Sequence, residues 1–192
     1  MKSAYALLSQ LDDVKDKRPP IHLWQPEQVS ESRMRIDAAG TWFHDAEPIE
    51  RPRLVRLFAS IMRREADGGY YLITPIEKAR VEVEDVPFQV VSMTVKHASA
   101  AAQVLSVTTN VAETVKVDLD HELLFRAGRQ PEPLPYVHIR DGLEAIFSRA
   151  AYYELMELAE LHEVAGSVWY GVRSAGRFWP AIRADAADTD QS

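Results

Sequence analysis

Residues Thr74–Phe88 read TPIEKARVEVEDVPF. Val81 and Val83 alternate with Glu82 and Glu84, so the two valines face one way and the two carboxylates the other. That period of two describes a half-buried strand with a wet, acidic face. Pro75 has no N–H for a ladder, which places the start of the segment at an edge or a corner. Successive strand side chains point to opposite faces, so neighbouring Glu77 and Lys78 do not simply pair. Pro87 ends the run. The stretch is a corner that hands over to a strand, and it divides a mixed helix-and-strand region from a β-rich one.

Upstream, Ala4, Leu7, Leu8 and Leu11 recur at helical spacing and predict a short N-terminal helix. KDKRPP follows as a linker, because consecutive prolines stop a helix. MRID and TWFH flank AAG and read as two strands around a turn at Gly40. ERPRLVRLFASIMRRE (50–65) has helical apolar spacing, with Pro52 suited to a first turn. ADGG stops it, and YYLIT is a strand. Downstream, RVEVED, FQVVSMTVKH, QVLSVTTN, TVKVD and LLFRA predict an antiparallel meander over 81–126. After the connector GRQPEPLP come YVHIR, a turn at Asp141-Gly142, LEAIF, a helix over 148–163, and the strands SVWYGV and RFWPAI.

The order strand, Gly turn, strand, helix, strand, turn, strand occurs twice. An offset of 98 residues pairs Arg51 with Arg149, Leu57 with Leu155 and Tyr71 with Trp169. The predicted fold is therefore α+β. It has two related subdomains, each built on a β-hairpin/helix/β-hairpin repeat, with a β meander between the repeats. The expected division is an N-terminal helix and linker (1–22), a first subdomain (23–86), a second (87–183) and a mobile tail (184–192).

The 192 residues include no cysteine, which excludes disulfides, thiolate zinc sites and cysteine nucleophiles and fits a reducing cytoplasm. The net charge of -7 opposes nucleic acid and anionic membranes as partners. Ser9, Gln10 and Asp12 interrupt the early apolar run, and no stretch has the length of a membrane span, so no membrane partner is expected. No nucleophile elbow, phosphate loop, dinucleotide glycine motif or zincin helix is present. No cofactor and no catalytic set are expected. Asp118, Asp120 and Glu122 fall on one face if DLDHE is a strand, but a turn accounts for them more simply than a cation site. The six histidines are scattered.

Two charge patterns remain. Arg53, Arg56, Arg63 and Arg64 share one side of the first predicted helix, while Glu154, Glu157 and Glu160 gather on the second. Either these are solvated faces, or they pair within or between molecules, making a homo-oligomer one outcome. Arg51 and Arg149 each fall in a first helical turn, where the helix dipole disfavours a cation. Either a carboxylate such as Asp37 or Asp141 holds them, or they clamp an anion together with free helix N–H groups.

MRID…GTWFH…PIERPRLVRLFASIMRRE, LITPIEKARVEVEDVPF, VTTN and PYVHIRDGLEAIFSR…YYEL resemble the bacterial domain of unknown function 1285 family, over about Trp24 to Val172. The matching positions are Asp37, Gly40, Trp42, Arg51, Thr74, Pro75, Glu77, Lys78, Glu84, Asp85, Pro87, Phe88, Thr109, Asn110, Tyr136 and Arg149. One departure is EQVSESR after LWQP, where the family tends to have a Gly. The resemblance implies a two-subdomain fold with repeated α/β motifs, no established activity, and a part in signal transduction. The resulting expectation is a non-enzymatic module that binds a small anionic ligand or a protein partner. Arg51, Glu77, Lys78, Thr109, Asn110 and Arg149 would gather around a cleft between the subdomains. The alternatives are a hydrolase-like enzyme, with Glu77 or Asp85 as base and Lys78 or Arg51 stabilising an oxyanion, and a structural dimerisation module.

Overall fold

The computed structural model describes residues 18–96, 102–128 and 133–187, so the expected helix over 4–11 and His97 lie outside the described residues. The chain divides into two units, 1–84 and 85–192.

In the first unit a short 3-10 turn, Ile21–Leu23, precedes β1 (Gln28–Ile36), β2 (Trp42–His44) and β3 (Glu47–Pro48). Helix α1 (Pro52–Ser60), β4 (Met62–Arg64), β5 (Tyr70–Ile73) and β6 (Glu77–Val83) follow. The six strands form one sheet in the order β3-β2-β1-β6-β5-β4. Most neighbours are antiparallel hairpins, but β1 and β6 pair in parallel. A parallel pair needs a long crossover, and everything from β2 to β5 supplies it. The β1–β2 turn is set by Asp37, whose carboxylate accepts the N–H groups of Ala39 and Thr41 at 2.9 Å each. Trp42, Phe58, Ile36, Met62 and Ile73 are fully buried, and the rings of Trp42 and Phe58 stack at 6.3 Å.

The helix expected over 50–65 stops at Ser60. Ser60 Oγ donates to the Leu57 carbonyl, and the Ile61 N–H turns back to Phe58. Met62 then pairs with Leu72, and Arg63 with Tyr71. The Arg63 guanidinium donates to Glu65 and to the carbonyls of Ile21 and Trp24, at 2.9 and 3.3 Å for the two carbonyls. Sheet pairing and burial of Ile61 and Met62 outweigh local helix preference. Arg63 and Arg64 therefore belong to a strand and not to a basic side of the helix.

The second unit carries β7 (Phe88–Lys96), β8 (Val104–Thr109), β9 (Thr114–Lys116), β10 (Leu123–Ala127), β11 (Pro133–Arg140) and β12 (Leu143–Phe147). Helix α2 (Arg149–Met156), β13 (Glu160–Val164), β14 (Ser167–Ser174), β15 (Arg177–Arg183) and one helical turn, α3 (Ala184–Ala187), complete it. A six-stranded sheet has the order β10-β11-β12-β7-β8-β9, and β13-β14-β15 form a smaller sheet. The expected single meander over 81–126 is split. β6 closes the first unit's sheet, β7 to β9 run as a meander, and β10 joins β11 at the opposite edge. The parallel pairing of β12 with β7 inserts the later hairpin between them. Asp141 and Gly142 both have positive φ, 47° and 74°, as a tight two-residue hairpin turn requires.

Helix α2 is capped by Ser148, whose hydroxyl accepts the Ala151 N–H. It ends at Met156, short of the expected 163, because Glu160–Val164 pair with β14. With both helices short, strands dominate. The expected repeat order is interrupted in the first unit, where β3 stands between β2 and the helix, and the sheet context differs: β4 and β5 extend the first sheet, whereas β13 and β14 leave the second. The register also slips by one at the helices, since Arg51 is an N-cap and Arg149 is already helical. Residues 184–187, expected in the tail, form α3, and 188–192 lie outside the described residues.

Fully buried Ser174 joins the smaller sheet to the larger. Its Oγ accepts the Leu105 N–H at 3.0 Å and donates to the Val117 carbonyl at 2.6 Å. Ser174→Ala leaves both groups unpaired in the interior and is expected to cost about 1–3 kcal/mol, read from urea denaturation of the full chain. An unchanged midpoint would contradict that role.

Candidate functional site

The first unit's parallel pair is interrupted. Glu31 is opposite Arg80 and Met34 is opposite Val81, so Ser32 and Arg33 form a bulge with no partner residues on β6. Arg33 takes a left-handed φ of 55°, a conformation that costs free energy for a residue with a Cβ. Local hydrogen bonds hold the bulge. Ser32 Oγ donates to the Arg80 carbonyl at 2.5 Å and accepts the Met34 N–H at 3.0 Å. The Arg33 guanidinium pairs with Asp45 at 2.8 Å, and the Arg33 carbonyl accepts the Asp45 N–H. Asp45 and Ala46, both at positive φ, make the β2–β3 turn.

Beside this bulge is a cavity of about 690 Å³. The turn residue Ala46 lines it, as do Gly68, Gly69 and Tyr70 where the chain enters β5, and Arg80 to Val83 of β6. Its charged rim is Glu31, Arg33, Arg35, Arg80 and Glu82. Arg35 is held by Glu84 at 2.7 Å and lies over the Phe43 ring at 4.2 Å. The Arg80 guanidinium is exposed and makes no hydrogen bond or ion pair among the described residues; it acts through space to lower the Asp67 carboxyl. The main cause of that lowering is the Gly69 N–H, followed by the Tyr71 hydroxyl, which donates to Asp67 at 2.8 Å. Asp67 thereby fixes the Gly68-Gly69 wall of the cavity.

The residues singled out from sequence fall three in each unit. Lys78 lies two residues before Arg80 on the same face of β6, 3.9 Å from Glu65 and over the Tyr71 ring at 5.2 Å. Glu77 is the first residue of β6. Its N–H and carbonyl close the Thr74-Pro75-Ile76 corner through Thr74, and its carboxylate accepts the Ser30 hydroxyl at 3.1 Å. Arg51 is the exposed N-cap of α1. It lines a shallow recess with His44, Glu47, Glu50 and Leu54, and no carboxylate holds it among the described residues.

In the second unit, Thr109 and Asn110 act within the β8–β9 turn. Thr109 Oγ1 accepts the Glu113 N–H, and Asn110 exchanges two hydrogen bonds with the Gln89 backbone at 2.8 and 3.1 Å. Arg149 is held by Tyr153, one helical turn away, and not by Asp141, which pairs with Arg140. Asp118 and Asp120 lie in bends and Glu122 just before β10, none of them in a strand: Asp118 accepts the N–H groups of Asp120 and His121.

Sequence reasoning missed Arg80 and the bulge. The SES run before Arg33 hinted at a break in β1, but its link to Arg80 exists only through the parallel pairing. It also missed a polar network in the second unit. Tyr136 is fully buried, donates to Asp85 at 2.9 Å, and has the Arg126 guanidinium over its ring at 3.9 Å. Arg126 also forms a two-pronged pair with Glu144 at 2.8 and 2.9 Å. A Cβ on Gly128 would come within 2.2 Å of the Tyr136 hydroxyl, so a larger residue there would have to displace it. The four side chains satisfy one another. Among the described residues no group of three or more His, Asp or Glu is placed to hold a metal ion, and no helix is long and apolar enough to cross a membrane.

Residues 19–86 match the N-terminal domain of DUF1285, a domain of unknown function, and residues 87–181 match the C-terminal domain of the same family. The chain is similar to the crystal structure of a DUF1285 family protein from Silicibacter pomeroyi, with 37% identity, a TM-score of 0.82, and coverage of 95% of this chain and 97% of that one. It is also similar to a DUF1285 family protein from Shewanella baltica, with 30% identity, a TM-score of 0.52, and coverage of 65% and 90%. No curated protein matches.

Burial first, and then the hydrogen bond to Asp85, push the Tyr136 phenol from 10.0 up to about 12. The folded chain therefore holds this proton more tightly than the unfolded chain. The stabilisation is complete below pH 10 and is lost as pH rises from 10 towards 12. In Tyr136→Phe that alkaline decline should be shallower than in the wild type when denaturation is followed against pH. Identical slopes in the two proteins would refute the assignment.

Proposed function

Because the chain belongs to the DUF1285 family, whose name assigns no activity, we propose a function from geometry: a non-enzymatic module that takes a small anionic ligand in the cavity beside the β1 bulge. The observation that carries this reading is Arg80, an exposed guanidinium with no hydrogen-bond or ion-pair partner among the described residues, at the rim of a preformed cavity. A planar guanidinium matches a carboxylate or phosphate in two-pronged fashion. The cavity volume is in the range of small-molecule sites. Arg33 and Arg35 are already neutralised by Asp45 and Glu84, which supports Arg80 as the cation that meets the ligand. Glu31 and Glu82 on the same rim disfavour a polyanion and favour a ligand with one anionic group.

Lys78, two residues away on the same face, contributes to the field that draws the anion in. Glu77, Thr109 and Asn110 serve this reading as residues that hold corners and turns. Asp67 and Asp118, the carboxylates with shifted titration, are both lowered. That suits fixed structural acceptors better than a general base, which works best when its pKa is raised towards neutrality. The shared strand, turn, strand and helix order, with β3 added in the first unit, supports reading the two units as related subdomains. A cytoplasmic location and a part in signal transduction, with ligand occupancy as the signal, complete the proposal.

The test is thermal stabilisation of the full chain by a panel of small monocarboxylates and monophosphates. A ligand present at one hundred times its Kd stabilises by about 2.7 kcal/mol. Arg80→Gln should abolish that gain and leave the unliganded melting temperature unchanged. A ligand response that survives Arg80→Gln, or no response to any member of the panel, would overturn the assignment.

A further inference from the structure

Helix α1 exposes Arg53 and Arg56 one turn apart, with Arg51 at its N-cap, and none of the three guanidinium groups has a hydrogen bond or ion pair among the described residues. Its first turn contains no acidic residue. Helix α2 exposes Glu154 and, at its C-cap, Glu157, also one turn apart and with carboxylates also unpaired among the described residues; its last turn contains no basic residue. Each set stands at the wrong end of its own helix. Cations crowd the positive N-terminal end of α1, and anions crowd the negative C-terminal end of α2. Neither arrangement helps the helix that carries it. Both become favourable if the two ends meet, because the side-chain charges and the helix dipoles are then complementary at once, with the same three-residue spacing on each side.

We propose that these surfaces form a contact between two copies of the chain, α1 of one docking on the C-terminal end of α2 of the other. Tyr153 of α2, 54% exposed beside Glu154, already has Arg149 over its ring at 5.7 Å, so the match rests on the charges of Glu154 and Glu157. A second copy fits better than an unrelated acidic partner because this chain carries both members of the match. The charge of -7 makes copies repel at long range, so the attraction is local and is read by reversing charges and not by salt alone.

The experiment is sedimentation equilibrium of the full chain over a wide concentration range. The wild type should exceed monomer mass at high concentration. R53E/R56E and E154R/E157R, each confirmed as folded by circular dichroism, should each associate at least ten-fold more weakly. An equimolar mixture of the two variants should recover association, because acidic α1 then meets basic α2. The neutral pair R53Q/R56Q should lie between wild type and reversal. A wild type that stays monomeric throughout, reversals that leave association unchanged, or a mixture that fails to recover it would each overturn the contact.

Discussion

The parallel pairing of β1 with β6 is the constraint on which the first unit depends. It joins the first and last strands of the unit, so every intervening element must cross over and return. The pairing fixes α1, with Phe58 and Ala59 buried, and it stacks Phe58 on Trp42. Such a pair forms only after a long loop has closed, so local sequence preference alone does not specify it. Its one irregularity, the Ser32-Arg33 bulge, is maintained by side chains that could otherwise be solvated. Ser32 takes the Arg80 carbonyl, and Arg33 takes Asp45.

The bulge explains why a cavity lies there. Two extra residues in a strand bend it, and the β2–β3 turn and the Gly68-Gly69 segment come to flank the gap. Most cations around it are committed. Arg35 is tied to Glu84, Arg63 to Glu65, and Lys78 lies between Glu65 and the Tyr71 ring. Arg80 is left with its backbone engaged and its guanidinium available. The second unit distributes its polar groups differently. Tyr136, Asp85, Arg126 and Glu144 satisfy one another, and Arg140 is closed against Glu113 at 2.9 Å with both side chains nearly buried. Those networks link β10 to β12 and the β8–β9 turn to β11.

Much of the strand pattern was legible, and for plain reasons. Val81 and Val83 alternate with glutamates, and Asp141-Gly142 demands a tight turn. The helices were over-read because IMRRE and ELAELHE continue a helical spacing. Ile61, Met62 and Arg63 instead gain burial and hydrogen bonds from β5 and from the Ile21 and Trp24 carbonyls. The split of the meander was illegible because β12 inserts beside β7 from more than fifty residues away in sequence. Among the candidate site residues, Lys78 stands out through the family resemblance, and it shares a face of β6 with Arg80. Arg80 was passed over because, read along the chain, it is one more charge on a wet face. Its isolation depends on which carboxylates the other cations have already taken. EQVSESR, noted as a departure from the family pattern, turned out to contain the bulge itself.

The most direct measurement is a nitrogen-edited NMR titration of arginine side-chain Nε–H signals as a small monocarboxylate is added. The account predicts a saturable shift of the Arg80 signal, with Arg33 and Arg35 nearly unmoved because their carboxylate partners persist. Uniform, unsaturable drift of all arginine signals, or a saturable shift centred on another residue, would contradict it.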